Sequence, residues 1–395
     1  MGTQVGVGTS QHRNPKLAGQ EAVARALKQA DITQPDFVFL FATVGYRQEA
    51  LVSSVRAATG NASLFGCSAA GVIAQGMADE SNFALVVMVI CSDELRFHHG
   101  VLEGLSESST AVGQSLGQQL QPAYSSDAIA LFLNADAITV NFDDLMAGLE
   151  SSGDWTTALP IIGGLCGDNF VYQKTYQYCD DQVISDGVSW ALMSGDAELA
   201  THISHGCMPI GQQRTITRAE SNRIYEIDHE PVLDVLHEYL QDDEMANWDK
   251  AAVNLGLGFP APNPLEYGSD LFIRCMISKD EASGSVAASA NIEKGSTFWI
   301  TRRNTEKMYQ AAEATADRLN RQIGDRSPKF VFHIECDGRG RMILPEKDKQ
   351  AIIATMQKKI GKTVPWIGLY SFGEICPVNQ QNCLHSFTGI LSVVC

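Results

Sequence analysis

The end of the chain carries an acid, a thiol and an imidazole between two apolar stretches. Continuous apolar runs predict strands at Trp366–Tyr370 and Thr388–Val394. Glu374, Cys376 and His385 lie between these runs. Such groups need hydrogen-bond or ionic partners when a turn between two strands is buried. The stretch is therefore the first candidate for a functional site.

A second group of reactive side chains follows the predicted strand Lys329–Ile334. If this strand is parallel to the one at the chain end, their carboxyl ends share a sheet edge, which is where open α/β sheets bind ligands. Arg339 offers a planar cation suited to a carboxylate or phosphate, and His385 offers an imidazole. We therefore predict a ligand pocket made by Cys336, Arg339, Glu374 and His385. The alternative interpretation is an internal salt bridge between Arg339 and Glu374.

The same residue types are those of a Cys–His nucleophile. No known nucleophile turn surrounds Cys336 or Cys376, and nothing in the sequence places either thiol beside an imidazole. The prediction is therefore a protein that is not an enzyme and has no catalytic residues. A Cys-dependent enzyme is the alternative.

A third cluster lies in the middle of the chain, where His205, Cys207 and Met208 occur within four residues. Histidine, cysteine and methionine are all axial ligands of haem iron in proteins. The dipeptide Cys376-Pro377 also occurs where haem is bound through a thiolate. A lone histidine is more often a structural residue, so the spacing by itself does not establish a haem site.

Composition and charge exclude several classes of protein. A chain of 395 residues with 45% hydrophobic and 19% charged residues predicts a folded protein of two or more domains. The net charge of −17 argues against nucleic acid or an anionic membrane as a partner. The longest apolar run, Phe83–Cys91, is of strand length, and the first residues show no export signal. We therefore expect a cytoplasmic protein with reduced thiols.

The order of predicted elements suggests an internal repeat of strand, helix, strand, glycine-containing turn and strand. It occurs near residues 36–90, 127–193 and 329–394, and the predicted fold is α/β (α+β) with mixed sheets flanked by helices. Residues between the second and third copies differ in pattern. There, Ala200–Arg218 predicts a strand pair turning at Pro209–Gly211, Gly256–Pro264 predicts a loop, and Asn304–Ile323 predicts a capped helix.

Six short stretches, taken together in this order, resemble the FIST sensory module. They are GCSAAGVIAQG (66–76), IIGGLCGDN (161–169), PIGQQRTIT (209–217), ECDGRGR (335–341), SFGEICP (371–377) and LHSFTG (384–389). The resemblance implies an N-terminal helical segment (1–34), a FIST N domain (35–222) and a FIST C domain (223–395). It also implies bacterial signal transduction through a sensed ligand.

The stretch SHGCMPIG (204–211) resembles the stand-alone, nitric-oxide-sensing hemoprotein branch of the family (NosP). That branch implies haem b, nitric oxide as ligand, and regulation of a sensor histidine kinase or other signalling protein in trans, and it allows a homodimer. His205 is then the first candidate for the iron ligand, His385 the second, and Cys376 a thiolate alternative. A FIST sensor of a small anionic metabolite, such as an amino acid bound at Arg339, Glu374 and His385, is the alternative function.

Overall fold

The computed structural model describes residues 2–156 and 158–395, except for the side chains of residues 249 and 250. The fold is mixed α/β, as predicted, with several mixed sheets flanked by helices. It consists of three similar units and one insertion within the third unit. Each unit places a helix between two parallel strands, which is the connection that parallel pairing requires.

The first unit begins with a strand that the sequence did not predict. Its elements are β1 (Thr3–Ser10), α1 (Pro15–Ala30), β2 (Phe37–Ala42), α2 (Gln48–Ala58), β3 (Ser63–Ser68), β4 (Gly71–Ala74), β5 (Met77–Asp79) and β6 (Leu85–Ser92). Helix α1 starts where the side chain of Asn14 accepts hydrogen bonds from the backbone N–H groups of Lys16 and Leu17. The segment 1–34 is therefore not only helical, because β1 pairs along its whole length with β6.

The second unit repeats this order. Its elements are β7 (Leu95–Glu103), α3 (Leu105–Leu120), β8 (Ala128–Asp136), α4 (Phe142–Glu150), β9 (Ile161–Cys166), β10 (Gln177–Cys179), β11 (Gln182–Ile184) and β12 (Gly187–Gly195). In both units, the two strands joined by the second helix are parallel, and the last strand is antiparallel to the strand before that helix.

The third unit starts with β13 (Leu199–His205) and is then interrupted by the insertion. The insertion contains β14 (Cys207–Glu220), β15 (Arg223–Ile227), β16 (Glu230–Pro231), α5 (Val232–His237), α6 (Asp242–Ala246), α7 (Trp248–Asn254), β17 (Leu255–Pro260), α8 (Pro264–Tyr267), β18 (Leu271–Asp280), β19 (Ser285–Ala288) and β20 (Thr297–Arg303). The unit resumes with α9 (Thr305–Ile323), β21 (Phe330–Cys336), α10 (Glu346–Ile360), β22 (Trp366–Ser371), β23 (Glu374–Val378), β24 (Gln381–His385) and β25 (Thr388–Val394).

The three units exchange hairpins. The three sheets built from them have the orders β1-β6-β2-β3-β10-β11, β24-β23-β9-β8-β12-β7 and β13-β25-β21-β22-β4-β5. The hairpin β4–β5 of the first unit thus completes the third sheet. The hairpin β10–β11 of the second unit completes the first sheet, and the hairpin β23–β24 of the third unit completes the second sheet. The insertion forms its own sheet, β14-β20-β17-β18-β19-β15-β16.

Two predictions for the middle of the chain are wrong. β13 and β14 do not pair with each other, because β13 pairs with β25 and β14 with β20 and β15. The predicted loop Gly256–Pro264 contains β17, a strand inside the insertion sheet. Glycine is useful at Gly256 because a Cβ atom there would lie 3.0 Å from Thr301 Oγ1 and 3.1 Å from the ring of Phe387.

The predicted division at residues 222 and 223 does not separate two sheets, since β14 and β15 lie on either side of it and pair with each other. As a division of the chain into domains, the three predicted ranges stay a prediction. Among the described residues, no helix is both long enough and apolar enough to span a bilayer.

One buried ion pair connects the exchanged hairpin of the first unit to the third unit. Glu80 follows β5, and its carboxylate accepts a 2.7 Å hydrogen bond from Lys349 of α10. The backbone N–H of Arg341 also donates to this carboxylate, at 2.9 and 3.1 Å. Both charged side chains are almost fully buried, so neither can be hydrated if the other is removed.

We expect Lys349→Met to lower the free energy of unfolding by about 3–5 kcal/mol, because it leaves the Glu80 carboxylate buried without its cation. Adding Glu80→Gln should restore part of the loss. The control is Lys347→Met, an exposed lysine of the same helix, which should change stability by no more than about 0.5 kcal/mol. Urea unfolding measures all three. Equal losses in the Lys349 and Lys347 variants would show that this ion pair does not hold the hairpin.

Candidate functional site

The structure brings the three predicted turns together at one place. The N–H of Gly167 donates to the carbonyl of Ser68 (3.1 Å), and the N–H of Ala70 donates to that of Tyr370 (3.0 Å). Leu165 and Gly373 are joined in the same way, at 2.8 Å. The end of each second parallel strand is thus bonded to a turn of another unit, and the turn beside Glu374 is part of this junction.

A cavity of about 590 Å³ lies next to this junction, between the insertion sheet and the second and third units. Its volume is in the range of small-molecule sites, about 300–1,000 Å³. Its apolar walls include Val140, Leu165, Met276, Ile277, Phe372 and Leu384. Its polar lining residues include Asp143, Cys275, Ser289, Cys336, Asp337, His385 and Ser386. Among the lining residues whose side chains are described, none is lysine or arginine.

His385 presents one unused ring nitrogen. It ends β24, and its Nε2 donates a 2.8 Å hydrogen bond to the carbonyl oxygen of Cys376. Its Nδ1 is buried and has no hydrogen-bond partner. Burial lowers the pKa of this imidazole to about 3, so the ring is neutral and Nδ1 carries a free lone pair. His385 can therefore accept a hydrogen bond or ligate a metal ion.

His205 lies close to His385 but is fully bonded. Its Nε2 donates to the carbonyl oxygen of Leu271 (2.9 Å), and its Nδ1 accepts from the N–H of Cys207 (3.0 Å). The ring of Tyr267 has its centroid 5.8 Å from that of His205 and 5.7 Å from that of His385. The two predicted histidines are therefore neighbours of one tyrosine, but His205 is not a lining residue of the cavity.

Cys336 is a lining residue whose sulfur already has partners. Its Sγ accepts a 3.3 Å hydrogen bond from the N–H of Phe387 and lies 3.6 Å from Oδ1 of Asp337. Burial raises the pKa of the Cys336 thiol well above its usual range, and it does the same for Cys376. The Cys376 sulfur contacts the carbonyl of Pro377 instead of the cavity. Both residues are thus protonated thiols at neutral pH.

The salt bridge between Arg339 and Glu374, the alternative interpretation of the sequence, is not present. Arg339 is paired with Glu335, through Nε (3.1 Å) and Nη2 (3.2 Å). Glu374 instead accepts hydrogen bonds from Ser371 Oγ (3.1 Å) and Thr388 Oγ1 (2.8 Å). Because Glu335 precedes Arg339 by four residues across a tight turn, it reaches the guanidinium first. Neither Arg339 nor Glu374 lines the cavity, although Gly373 does.

Asp337 and Ser289 are lining residues that the sequence interpretation did not select. Asp337 follows Cys336, and burial raises the pKa of its carboxyl group to about 7. Ser289 lies in the insertion, and its Oγ is 3.0 Å from Oγ of Ser386. This hydroxyl pair connects the insertion to the third unit at the cavity wall. An isolated serine after a strand has no sequence signal, whereas Asp337 could have been found from its place at the end of β21.

Comparison with known families agrees with the six motifs. A model of the FIST N domain matches residues 36–230, and a model of the FIST C domain matches residues 233–377. The chain belongs to the FIST family. FIST domains are sensor domains of signal transduction, and the cavity of this FIST protein has walls from both matched regions.

Several relatives of this FIST protein are uncharacterized proteins. Two uncharacterized proteins of Mycobacterium tuberculosis, from strains CDC 1551 / Oshkosh and ATCC 25618 / H37Rv, are each 24% identical over 394 residues, covering 99% of both chains. An uncharacterized protein of Methanocaldococcus jannaschii is 25% identical over 190 residues, which is 46% of this chain and 36% of that one.

Solved structures offer only distant likenesses. A cyanuric acid hydrolase from A. caulinodans has a TM-score of 0.39 and 8% identity, with 100% of this chain and 99% of that chain covered. A chorismatase has a TM-score of 0.36 and 9% identity, with the same coverage. Likeness at these TM-scores carries no argument about the activity of the FIST protein.

Glu374 provides a prediction about pH. Burial raises the pKa of its carboxyl group to about 8, against 4.5 for an ordinary glutamate, so the folded protein holds a proton that the unfolded chain releases. The stability that this proton confers is complete below about pH 4.5 and is lost as pH rises through about 8, at up to about 1.4 kcal/mol per pH unit.

Glu374→Gln keeps the shape of the protonated group and its hydrogen bonds to Ser371 and Thr388 but cannot ionise. We expect wild type and variant to unfold with similar free energies at pH 5, and the variant to become the more stable of the two by pH 8.5. Urea unfolding at several pH values measures the difference. Parallel pH profiles would show that Glu374 does not carry this proton.

Proposed function

We propose that this FIST protein senses a small molecule that occupies the cavity between the insertion and the second and third units. The observation that carries the proposal is the composition of the cavity wall, which comes from three separate parts of the chain. Val140 belongs to the second unit, Ser289 to the insertion and His385 to the third unit. A ligand that contacts all three favours one arrangement of these parts, and such differential binding is what a sensor requires.

The chemistry of the wall supports an amphipathic metabolite. One part is apolar, with Leu165, Met276 and Phe372, and another part offers hydrogen-bonding groups. His385 Nδ1 is an acceptor without a partner, and the Asp337 carboxyl group changes charge near neutral pH. A ligand with an ammonium or amide donor, such as an amino acid, would satisfy both groups.

Haem is the second candidate ligand, and the free Nδ1 of His385 is the observation that favours it. His205 would have to break one of its two hydrogen bonds to bind iron. His385 is therefore the first candidate for the iron ligand and His205 the second, which is the reverse of the order expected from the sequence. Cys376 is a protonated thiol away from the lining residues. A haem held by His385 would supply an iron that binds nitric oxide. A partner histidine kinase, and a homodimer, stay proposals from the family resemblance.

A Cys-dependent enzyme receives less support than either sensor. The thiolate is the nucleophilic form of cysteine, and burial keeps Cys336 and Cys376 protonated. The Nε2 atom of His385 donates its hydrogen bond to the backbone carbonyl of Cys376, so it does not accept one from a thiol. That the protein is not an enzyme stays a prediction.

Occupancy of the cavity can be tested with a cavity-filling variant. Ala252 is a half-buried lining residue on α7, so Ala252→Trp should fill the cavity with an indole ring. A thermal-shift screen of common metabolites, including the amino acids, should find compounds that stabilise wild type, by about 2.7 kcal/mol at a hundredfold excess over Kd. The variant should lose this effect.

The matched control is Ala246→Trp, which places the same ring at an exposed position of α6 and should keep the response. If a compound stabilises wild type and Ala252→Trp equally, the ligand binds outside this cavity and the proposal is wrong.

Haem binding has its own test. If haem is the ligand, hemin titrated into the protein gives a sharp Soret band that shifts when nitric oxide is added, and His385→Ala removes it, whereas His205→Ala keeps it. Loss of the band only in the His205 variant would restore the order expected from the sequence. A broad, unshifted band of free hemin with wild type excludes haem and leaves the metabolite.

A further inference from the structure

Arg303 is a buried cation that forms no ion pair with any residue the structure describes. It is the last residue of β20, and it pairs in register with Cys207 of β14. All three of its guanidinium nitrogens, Nε, Nη1 and Nη2, are buried and make no hydrogen bond within the described chain. Buried polar groups in proteins are nearly always hydrogen-bonded, and a buried charge without a partner is strongly unfavourable. The guanidinium therefore has the donors of a binding site but no acceptor.

The groups around Arg303 do not balance its charge. Arg339 is also a cation and is paired with Glu335, which leaves Nη1 of Arg339 as another buried N–H group without a partner. The neighbouring thiols Cys207 and Cys336 are protonated because burial raises their pKa values. Asp337 is near enough to affect Arg303 electrostatically, but no ion pair joins the two among the described residues, and burial raises the pKa of its carboxyl group to about 7. The cluster thus carries a net positive charge.

Phe387 separates this cation from the cavity. The Arg303 guanidinium lies over its ring, 3.9 Å from the centroid, and Phe387 is itself a lining residue of the cavity. The ring has room only because residue 338 is glycine, where a Cβ atom would lie 2.8 Å from the Phe387 ring and 3.3 Å from Nη1 of Arg303. The backbone of Phe387 has φ of 61°, a left-handed conformation that is a genuine outlier for a bulky residue. Strain of this kind concentrates at ligand sites and switch regions.

We propose that Arg303 is the anchor for an oxyanion, a carboxylate or phosphate group, on the ligand that occupies the cavity. The inference rests on the proposed function and specifies the chemical class of the ligand. The planar guanidinium can donate two parallel hydrogen bonds to either group. Phe387 moves aside to admit the anion. This movement relieves the strained backbone of Phe387, and the Arg303 guanidinium gains a charge-assisted pair with the anion. The apolar body of the ligand then lies against Leu165 and Phe372.

This assignment differs from the one made on the sequence, which gave the anion to Arg339. Arg339 is already bonded twice to Glu335, so only its Nη1 nitrogen lacks a partner among the described residues, whereas all three guanidinium nitrogens of Arg303 do. A ligand with a carboxylate for Arg303 and an ammonium group for Asp337 and His385 would match both the anchor and the polar wall.

The test compares Arg303→Met with Arg302→Met, a change of the exposed arginine next to it in the same strand. Melting temperatures are measured without added oxyanions and then with phenylacetate, phenyl phosphate or the uncharged phenylacetamide. Without anions, Arg303→Met should melt above wild type, because it removes an unpaired buried charge. Arg302→Met should melt at or slightly below wild type, because it loses one exposed hydrogen bond to the Tyr239 carbonyl. At least one anion should raise the melting temperature of wild type and of Arg302→Met but not of Arg303→Met.

Several outcomes overturn the assignment. They are a lower melting temperature for anion-free Arg303→Met, an anion response that Arg303→Met retains in full, and no response of wild type to either anion. A response to phenylacetamide that Ala252→Trp abolishes would keep the cavity as the ligand site while removing Arg303 from it. Arg303→Lys keeps the charge without the planar fork and should retain a reduced anion response; it replaces the methionine variant if that variant does not fold. If phenyl phosphate raises the melting temperature more than phenylacetate does, the oxyanion of the ligand is a phosphate group. If phenylacetate raises it more, the oxyanion is a carboxylate.

Discussion

Three phenylalanine rings at the centre of the molecule hold the units together. Phe39, Phe132 and Phe332 come from the first parallel strand of each unit, and their ring centroids are 5.0, 5.2 and 5.9 Å apart. All are fully buried. Because their sheets meet at this contact, each sheet buries its inner face against the other two. The exchanged hairpins strengthen this dependence, since the second and third sheets each contain strands from both family-matched regions.

The same repeat explains why a cavity forms at one junction and an ion pair at another. Glu80 follows β5 and lies beside Gly71 at the start of β4, as His385 lies opposite Glu374 at the start of β23. In the first case the carboxylate meets Lys349 and Arg341 of the third unit, and the junction is filled by charged groups. In the second case a neutral imidazole packs against the rings of Tyr267 and Phe272 of the insertion, and the insertion also covers the remaining space. The site therefore depends on both a repeat and its interruption.

Much of this architecture was predictable from local signals. Apolar runs located the central strands, and Asn304 marked a helix start that the structure confirms. The exchange of hairpins was not predictable, because strand pairing depends on backbone groups distant in the chain. The predicted loop at Gly256–Pro264 failed for a related reason. Glycines usually weaken a strand, but here they let neighbouring side chains approach the backbone closely.

The site residues divide in the same way. Cys336 and His385 are lining residues of the cavity, and Cys336 ends a strand at the edge where ligands bind in α/β sheets. That they bind a ligand stays a prediction. The alternative pairing of Arg339 with Glu374 is wrong because Glu335, in the same turn, lies closer along the chain. Arg303 gave no signal, since an arginine at the end of a strand, after another arginine, is usually solvated.

The insertion forms one wall of the cavity, and its two ends connect this wall to the third unit. It leaves the third unit after Gly206 and returns at Asn304, and the N–H of Asn304 donates a 2.8 Å hydrogen bond to the carbonyl of Gly206. The ends of the insertion are thus bonded together beside Cys207 and Arg303. A ligand that pairs with Arg303 acts on the last residue before this connection, whereas a ligand held only by His385 acts on the hairpin that completes the second sheet. The position of the anchor therefore decides which boundary of the molecule responds to the ligand, and an anchor at Arg303 couples the cavity to the insertion.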